Sequence, residues 1–169
     1  MPVLETARLT VRRLSLDDAA FMLELLNDPA FIRNIGDRGV RDLEGARGYI
    51  LRGAIASHER YGYGLDLVEL KSTAEPAGIC GLVRRDYLDD PDIGFAFLPR
   101  FTGFGYALES AGAVIEHARS VLQLPRVLAI VSPGNARSIR VIEKIGLRYQ
   151  RMITPPGESE AIRLFSSDA

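Results

Sequence analysis

Residues 92–107 read DIGFAFLPRFTGFGYA, and this stretch decides the fold. Asp92 to Leu98 is an apolar run suited to a strand, and Asp89-Asp90-Pro91 before it marks a turn. Gly103 and Gly105 then break the chain, and a single apolar stripe follows. Phe104, Leu108, Ala111, Ile115, Ala118 and Leu122 step by four and three residues, which predicts a helix over 104–122. Strand, glycine loop and long helix thus follow one another without a linker.

Toward the C-terminus, Pro125 ends the helical region and Val127 to Val131 suits a short buried strand. Pro133-Gly134-Asn135 is a turn that places Asn135 as N-cap of a helix over 136–145, and Gly146 closes that helix. Strands near 147–152 and 160–166 complete this half. Toward the N-terminus, residues 8–14 alternate apolar and polar as a half-buried strand does. Ser15 and Asp18 open a helix that Asp28-Pro29 stops, leaving 30–41 as a loop with Gly36 and Gly39. A helix is expected over 42–60, where Leu43, Ala46, Ile50 and Ala54 share a face, and strands at 65–70 and 77–84 flank a polar hairpin loop. The expected fold is α+β (mixed α/β), with one central sheet of six to seven strands and about four helices in a single domain spanning 1–169.

Composition narrows the function. The 169 residues are 47% hydrophobic and 25% charged, an ordinary globular mix. Lys plus Arg number 21 against 22 for Asp plus Glu, so no basic surplus marks a nucleic-acid binder. Cys80 is the sole cysteine, which excludes a disulfide scaffold and makes it a small core residue. No apolar run approaches the roughly 20 residues of a membrane helix, and Met1 to Glu5 does not begin a signal peptide. A cytoplasmic protein with no membrane partner is expected. His58 and His117 show no partner pattern, so no metal site is expected.

The glycine loop is the candidate binding feature. Unpaired N–H groups at a helix start attract an anion, glycines let a phosphate approach the backbone, and Arg100 adds a charge. A tight strand-to-helix turn is the plainer explanation of an isolated glycine pair. Two common phosphate motifs fail. A dinucleotide fingerprint needs a third glycine where Leu108 stands, and a P-loop needs Gly-Lys-Ser/Thr where Gly105 precedes Tyr106 and Ala107.

A third pattern fits. Arg100, Gly103 and Gly105 form R-x-x-G-x-G, which resembles the acetyl-CoA signature (Q/R-x-x-G-x-G/A) of the GNAT superfamily of N-acetyltransferases. NARSIRVIEKIGLRYQ (135–150) is similar to that family's downstream N-x-x-S…E-K-x-G-F/L segment, and LETARLTVRRLSLDD resembles its RimJ/RimL branch. The resemblance implies a mostly antiparallel sheet that splays beside the glycine loop, and transfer of acetyl from acetyl-CoA to an amine. It implies that the backbone of Phe95, Ala96 and Phe97 pairs with the pantetheine arm, and that Arg100, Phe101, Thr102, Gly103, Phe104, Gly105 and Tyr106 wrap the pyrophosphate. It places Asn135 on the cofactor arm, although an ordinary N-cap accounts for that residue as well. Ser138 matches the serine that protonates the departing thiolate in RimL-type enzymes, or is simply a first-turn helical residue. A tyrosine that many relatives use stands here as Ile142.

Asp92 is the candidate general base, with a turn aspartate as the plainer explanation; Asp66 and Glu69 are weaker candidates on the neighbouring strand. Arg137, Arg140 and Lys144 share one helix face, open either to a 3′-phosphate or to solvent. The first two helices with their loop (28–42), and the 153–160 loop, would face the amine acceptor, a protein N-terminus or a small molecule; Arg33, Arg38 and Arg41 would engage a carboxylate or acidic substrate there, with a solvated loop as the plainer explanation. The alternative is a catalytically silent acyl-CoA-binding module. A sheet edge or helix is open to pairing with a second copy, so a homodimer is allowed.

Overall fold

A computed structural model describes residues 2–167. Among them the strands are β1 (Pro2–Glu5), β2 (Leu9–Arg13), β3 (Leu65–Leu70), β4 (Pro76–Val83), β5 (Asp92–Phe97), β6 (Leu128–Val131), β7 (Arg148–Ile153) and β8 (Ile162–Ser166). They form one sheet in the order β1-β2-β3-β4-β5-β6-β8-β7. Every neighbouring pair is antiparallel except β5 with β6, which is parallel. The helices are α1 (Ala19–Leu26), α2 (Pro29–Asn34), α3 (Leu43–Ile50), α4 (Ala56–Tyr61), α5 (Tyr106–Ser120) and α6 (Ala136–Lys144). A π-helical segment, Leu51–Ile55, joins α3 to α4, so these two form the single rod expected over 42–60.

The expected elements all occur, with two additions. β1 raises the strand count to eight; it pairs with β2 from Pro2↔Arg12 to Glu5↔Thr10. α2 occupies part of the expected loop. Asp28-Pro29 both ends α1 and starts α2: the Asp28 carboxylate accepts from the Ala30 and Phe31 N–H groups, and Pro29 needs no donor in the first turn. Just ahead of α1, Ser15 and Asp18 make a full capping box on the 3-10 turn Leu16–Asp18 that leads into the helix, and Asp18 also grips the Arg12 guanidinium at 2.8 and 3.0 Å.

Alternation along the strands builds two apolar layers. Leu9, Val11, Val68, Cys80, Leu82 and Ile93 face α5 and α6 on one side, where they meet Ala111, Val114, Ala118 and Ile142. Leu67, Ile79 and Leu98 face the other way, against Met22, Leu25 and Leu26 of α1 and Ala46 and Ile50 of α3. Burying each such side chain contributes about 1.5–3 kcal/mol, so the central strands are clamped between helices. Among the described residues no helix is long and apolar enough to cross a membrane.

Candidate active site

The sheet opens between β5 and β6, and the site grows from that opening. β5 pairs with β4 along its whole length, from Asp92↔Val83 to Phe97↔Gly78, but registers with β6 only at Asp92↔Leu128. The Leu128 N–H donates to the Pro91 carbonyl at 2.9 Å, and beyond that point the two parallel strands part. On its other edge, the Leu98 N–H donates to the Ala77 carbonyl at 3.0 Å. Alternate residues of an antiparallel ladder turn both polar groups to the same neighbour. Ala96 and Leu98 therefore bond toward β4, while Phe95 and Phe97 turn their N–H and C=O groups into the split. Their rings pack against the core beneath α5. A main-chain role and a core role coexist in the same two residues, and Ala96 lies between them with its side chain in the opposite layer. Such an open edge suits an extended ligand that adds main-chain-like hydrogen bonds.

The glycine loop lies past the end of β5. Pro99–Phe101 make a 3-10 turn, and the Thr102 hydroxyl donates to the Pro99 carbonyl at 2.8 Å. Gly103 has φ +88° and Gly105 φ +83°, a left-handed conformation that L side chains enter at a cost. α5 then starts with no side-chain cap; α1 and α4 also lack one but continue from preceding helical turns, whereas Asp28, Asp42 and Asn135 cap α2, α3 and α6. First-turn amides of a 15-residue helix are thus left without a side-chain acceptor, the arrangement that binds phosphate. Two arginines flank the loop. Arg100 pairs with Glu24 at 2.8 Å and lies 5.2 Å from the Phe101 ring centroid. Arg8 was not singled out in the sequence: its guanidinium lies 4.6 Å over the Tyr106 ring, with one nitrogen 3.4 Å from where a Cβ on Gly105 would stand. Glu109 fixes it there at 2.8 Å. Phe104, 56% exposed, stacks on Tyr106.

The start of β5 opens instead into a cavity of about 510 Å³. Asp92, Phe95, Asn135, Ser138 and Ile142 all line it, so both candidate catalytic residues share one space. The glycine loop does not line this cavity; it stands at the other end of the strand. Asp92 is 1% exposed and held by Arg85 at 2.9 Å. Burial pushes its pKa up from the ordinary carboxylate value, against the pull of the Arg85 guanidinium. The Asn135 side-chain Oδ1 accepts the Ser138 N–H at 3.3 Å, capping α6. The Ser138 hydroxyl itself has no partner among the described residues and is free to serve a ligand. Ile142 sits one turn further on, 2% exposed, with nothing to donate.

Other candidates are engaged elsewhere. Glu69 binds Arg12 at 3.2 Å, and Asp66 binds His58 Nε2 at 2.7 Å; both lie on β3, separated from β5 by β4, outside the cavity. His58 therefore has the partner that its sequence neighbours did not reveal, eight residues on and across the turn from α4 to β3. Burial pushes Asp66 up as well, with His58 opposing it. Burial also takes the Cys80 thiol up to about 12, so it is inert. Arg41 is held by Asp37 at 2.5 Å and by Asn27 at 2.8 Å, whereas Arg33 and Arg38 line the cavity. Arg137, Arg140 and Lys144 lie on the exposed side of α6. Among the described residues no cluster of three or more His, Cys, Asp or Glu side chains is placed to hold a metal.

Residues 8–148 match the acetyltransferase (GNAT) domain family. The chain belongs to that family. This GNAT domain is 33% identical over 153 residues to the uncharacterized protein YkkB of Bacillus subtilis, an alignment covering 89% of this chain and 87% of YkkB. An acetyltransferase structure from Agrobacterium tumefaciens superposes with TM-score 0.82 at 28% identity, covering 98% of this chain and 94% of that one. The alpha-N-protein acetyltransferase RimL, solved in complex with coenzyme A, shares the fold at TM-score 0.83 and 16% identity, covering 98% and 97%.

Proposed function

We propose that this GNAT domain transfers the acetyl group of acetyl-CoA directly to a primary amine. The observation that carries this is the split between β5 and β6, which runs from the uncapped start of α5 to the cavity holding Asp92 and Ser138. The residues present fit the donor. The amides of residues 101–106 and the first turn of α5 suit its diphosphate, with Arg8 and Arg100 beside them. Phe95 and Phe97 offer main-chain groups to its amide-bearing arm, and Asn135 has an unused Nδ2 donor.

In the transfer the amine nitrogen bonds to the acetyl carbon as the carbon–sulfur bond breaks; the nitrogen loses one proton and the sulfur gains one. Ser138 is placed to give that proton, and an N–H of the open β5 edge to receive the charge developing on the carbonyl oxygen. A thiol with pKa near 8.5 needs only modest help to leave, which one free hydroxyl supplies. Asp92, with its raised pKa, is the proton acceptor, and Arg85 holds its carboxylate in place. An α-amine with pKa near 8 keeps a useful neutral fraction at neutral pH.

Calorimetry with acetyl-CoA, ATP and NAD, followed by thiol-release rates on a panel of amines and peptides, tests this. Selective acetyl-CoA binding with turnover is expected. Tight binding with no turnover anywhere on the panel would instead identify a silent acyl-CoA-binding module, for which the missing tyrosine at Ile142 speaks.

A further inference from the structure

The cavity beside Asp92 and Ser138 carries opposite charges from separate segments. Arg33 and Arg38 come from α2 and the loop after it, and Glu158 and Glu160 from the loop between β7 and β8. None of these four side chains makes a hydrogen bond or ion pair among the described residues. The neighbouring charges are already satisfied: Asp37 holds Arg41, and Arg85 holds Asp92. Two free guanidinium groups and two free carboxylates therefore line one space without neutralising each other.

That distribution selects against simple acceptors. A polyamine would meet Arg33 and Arg38 with nothing to offer them. An uncharged amine would leave both pairs of charges to water. A molecule bearing an ammonium and a carboxylate a few bonds apart satisfies both, and a cavity of about 510 Å³ is in the range of small-molecule sites. We infer that the acceptor is a small carboxylate-bearing primary amine, a free α-amino acid or close analogue. Arg33 and Arg38 hold its carboxylate, since a planar guanidinium matches that group with paired hydrogen bonds. Glu158 and Glu160 draw the ammonium form into the cavity, and the neutral fraction of the α-amine is what attacks.

This inference rests on the acetyltransferase reading, and the experiment separates the two. Acetyl-CoA binding is measured first by calorimetry. Thiol-release rates are then compared for amino acids and their decarboxylated counterparts (tyrosine with tyramine, phenylalanine with phenethylamine, ornithine with putrescine), and for short peptides with free N-termini. At least one amino acid is expected to exceed its amine in kcat/KM by about tenfold or more, the scale of a charge-assisted hydrogen bond. The double variant R33A/R38A is expected to collapse that ratio toward one through KM, and R33K/R38K to keep part of it, with both variants melting like the parent. Amines matching or beating their amino acids, a ratio that survives R33A/R38A, or a preference for peptides would each overturn the inference while leaving acetyl transfer standing. Failure to bind acetyl-CoA would remove both.

Discussion

Asn135 offers a test in which folding and ligand binding separate cleanly. Its side chain has two ends with different duties: Oδ1 caps α6 by accepting the Ser138 N–H, while Nδ2 has no partner among the described residues. Asn135→Ala removes both. Loss of an N-cap costs about 1 kcal/mol, and in a chain of this size that lowers Tm by about 2–4 °C. Losing one hydrogen bond to the cofactor arm costs a further ~0.5–1.5 kcal/mol of binding, or about two- to tenfold in the Kd of acetyl-CoA. Asn135→Asp removes only the donor. It keeps an oxygen for the cap and adds a negative charge at the helix start, worth about 0.3–1 kcal/mol. The Asp variant is therefore expected to melt at or above the parent temperature yet bind acetyl-CoA more weakly than the Ala variant, because a carboxylate replaces the donor. Differential scanning fluorimetry and calorimetry supply the two readouts. Equal acetyl-CoA affinity in all three proteins would refute the assignment to the cofactor arm and leave Asn135 as a cap alone.

Ser138→Ala is expected to lower kcat more than it weakens acetyl-CoA binding and to leave stability within about 0.5 kcal/mol of the parent, since its hydroxyl has no partner among the described residues; unchanged turnover would take Ser138 out of the chemistry. Gly103→Val is expected to abolish acetyl-CoA binding while costing about 1–2 kcal/mol in folding, because φ is +88° but nothing lies within 4 Å of the new Cβ. A folded variant with parental affinity would move the phosphate site elsewhere. Asp92 sets a sign for pH. Burial raises its folded pKa above the unfolded value, so as pH falls through that raised value the folded state takes up the proton first and this residue's contribution favours folding. Thermal melts along that acid limb should show a shallower decline for the parent than for Asp92→Asn, and parallel curves would refute the assignment.

The sequence made the sheet and the long helices legible because their signals are local and repeated. The stripe from Leu108 to Ala118 and the Asn135 cap each contain their own evidence. α2 escaped because six residues complete fewer than two turns, and because Asp28-Pro29 is as good a start as a stop. β1 escaped because four residues give too little alternation to distinguish from a loop. At the site, the motif spacing marked the glycine loop, Asn135 and Ser138. Arg8 carries no such mark: it reaches Tyr106 and Glu109 only because β2 and α5 lie together in the folded chain. The pairing of Asp66 with His58 was equally hidden, since a turn between helix and strand sets it rather than any periodicity. Arg33, Arg38 and Arg41 look alike in sequence, and only tertiary contacts show that the third is already neutralised.

The lone register point between Asp92 and Leu128 joins two leaves of the sheet, β1 to β5 on one side and β6 to β8 on the other. The cavity that holds Asp92 and Ser138 takes walls from both leaves, Ile93 and Phe95 from the first and Ile130, Val131 and Ile162 from the second. Leu128 does not line that cavity; it packs with Leu88 and Leu164. Trimming it is therefore expected to leave a void beside the one join between the leaves, lowering stability while the residues that line the cavity stay in place.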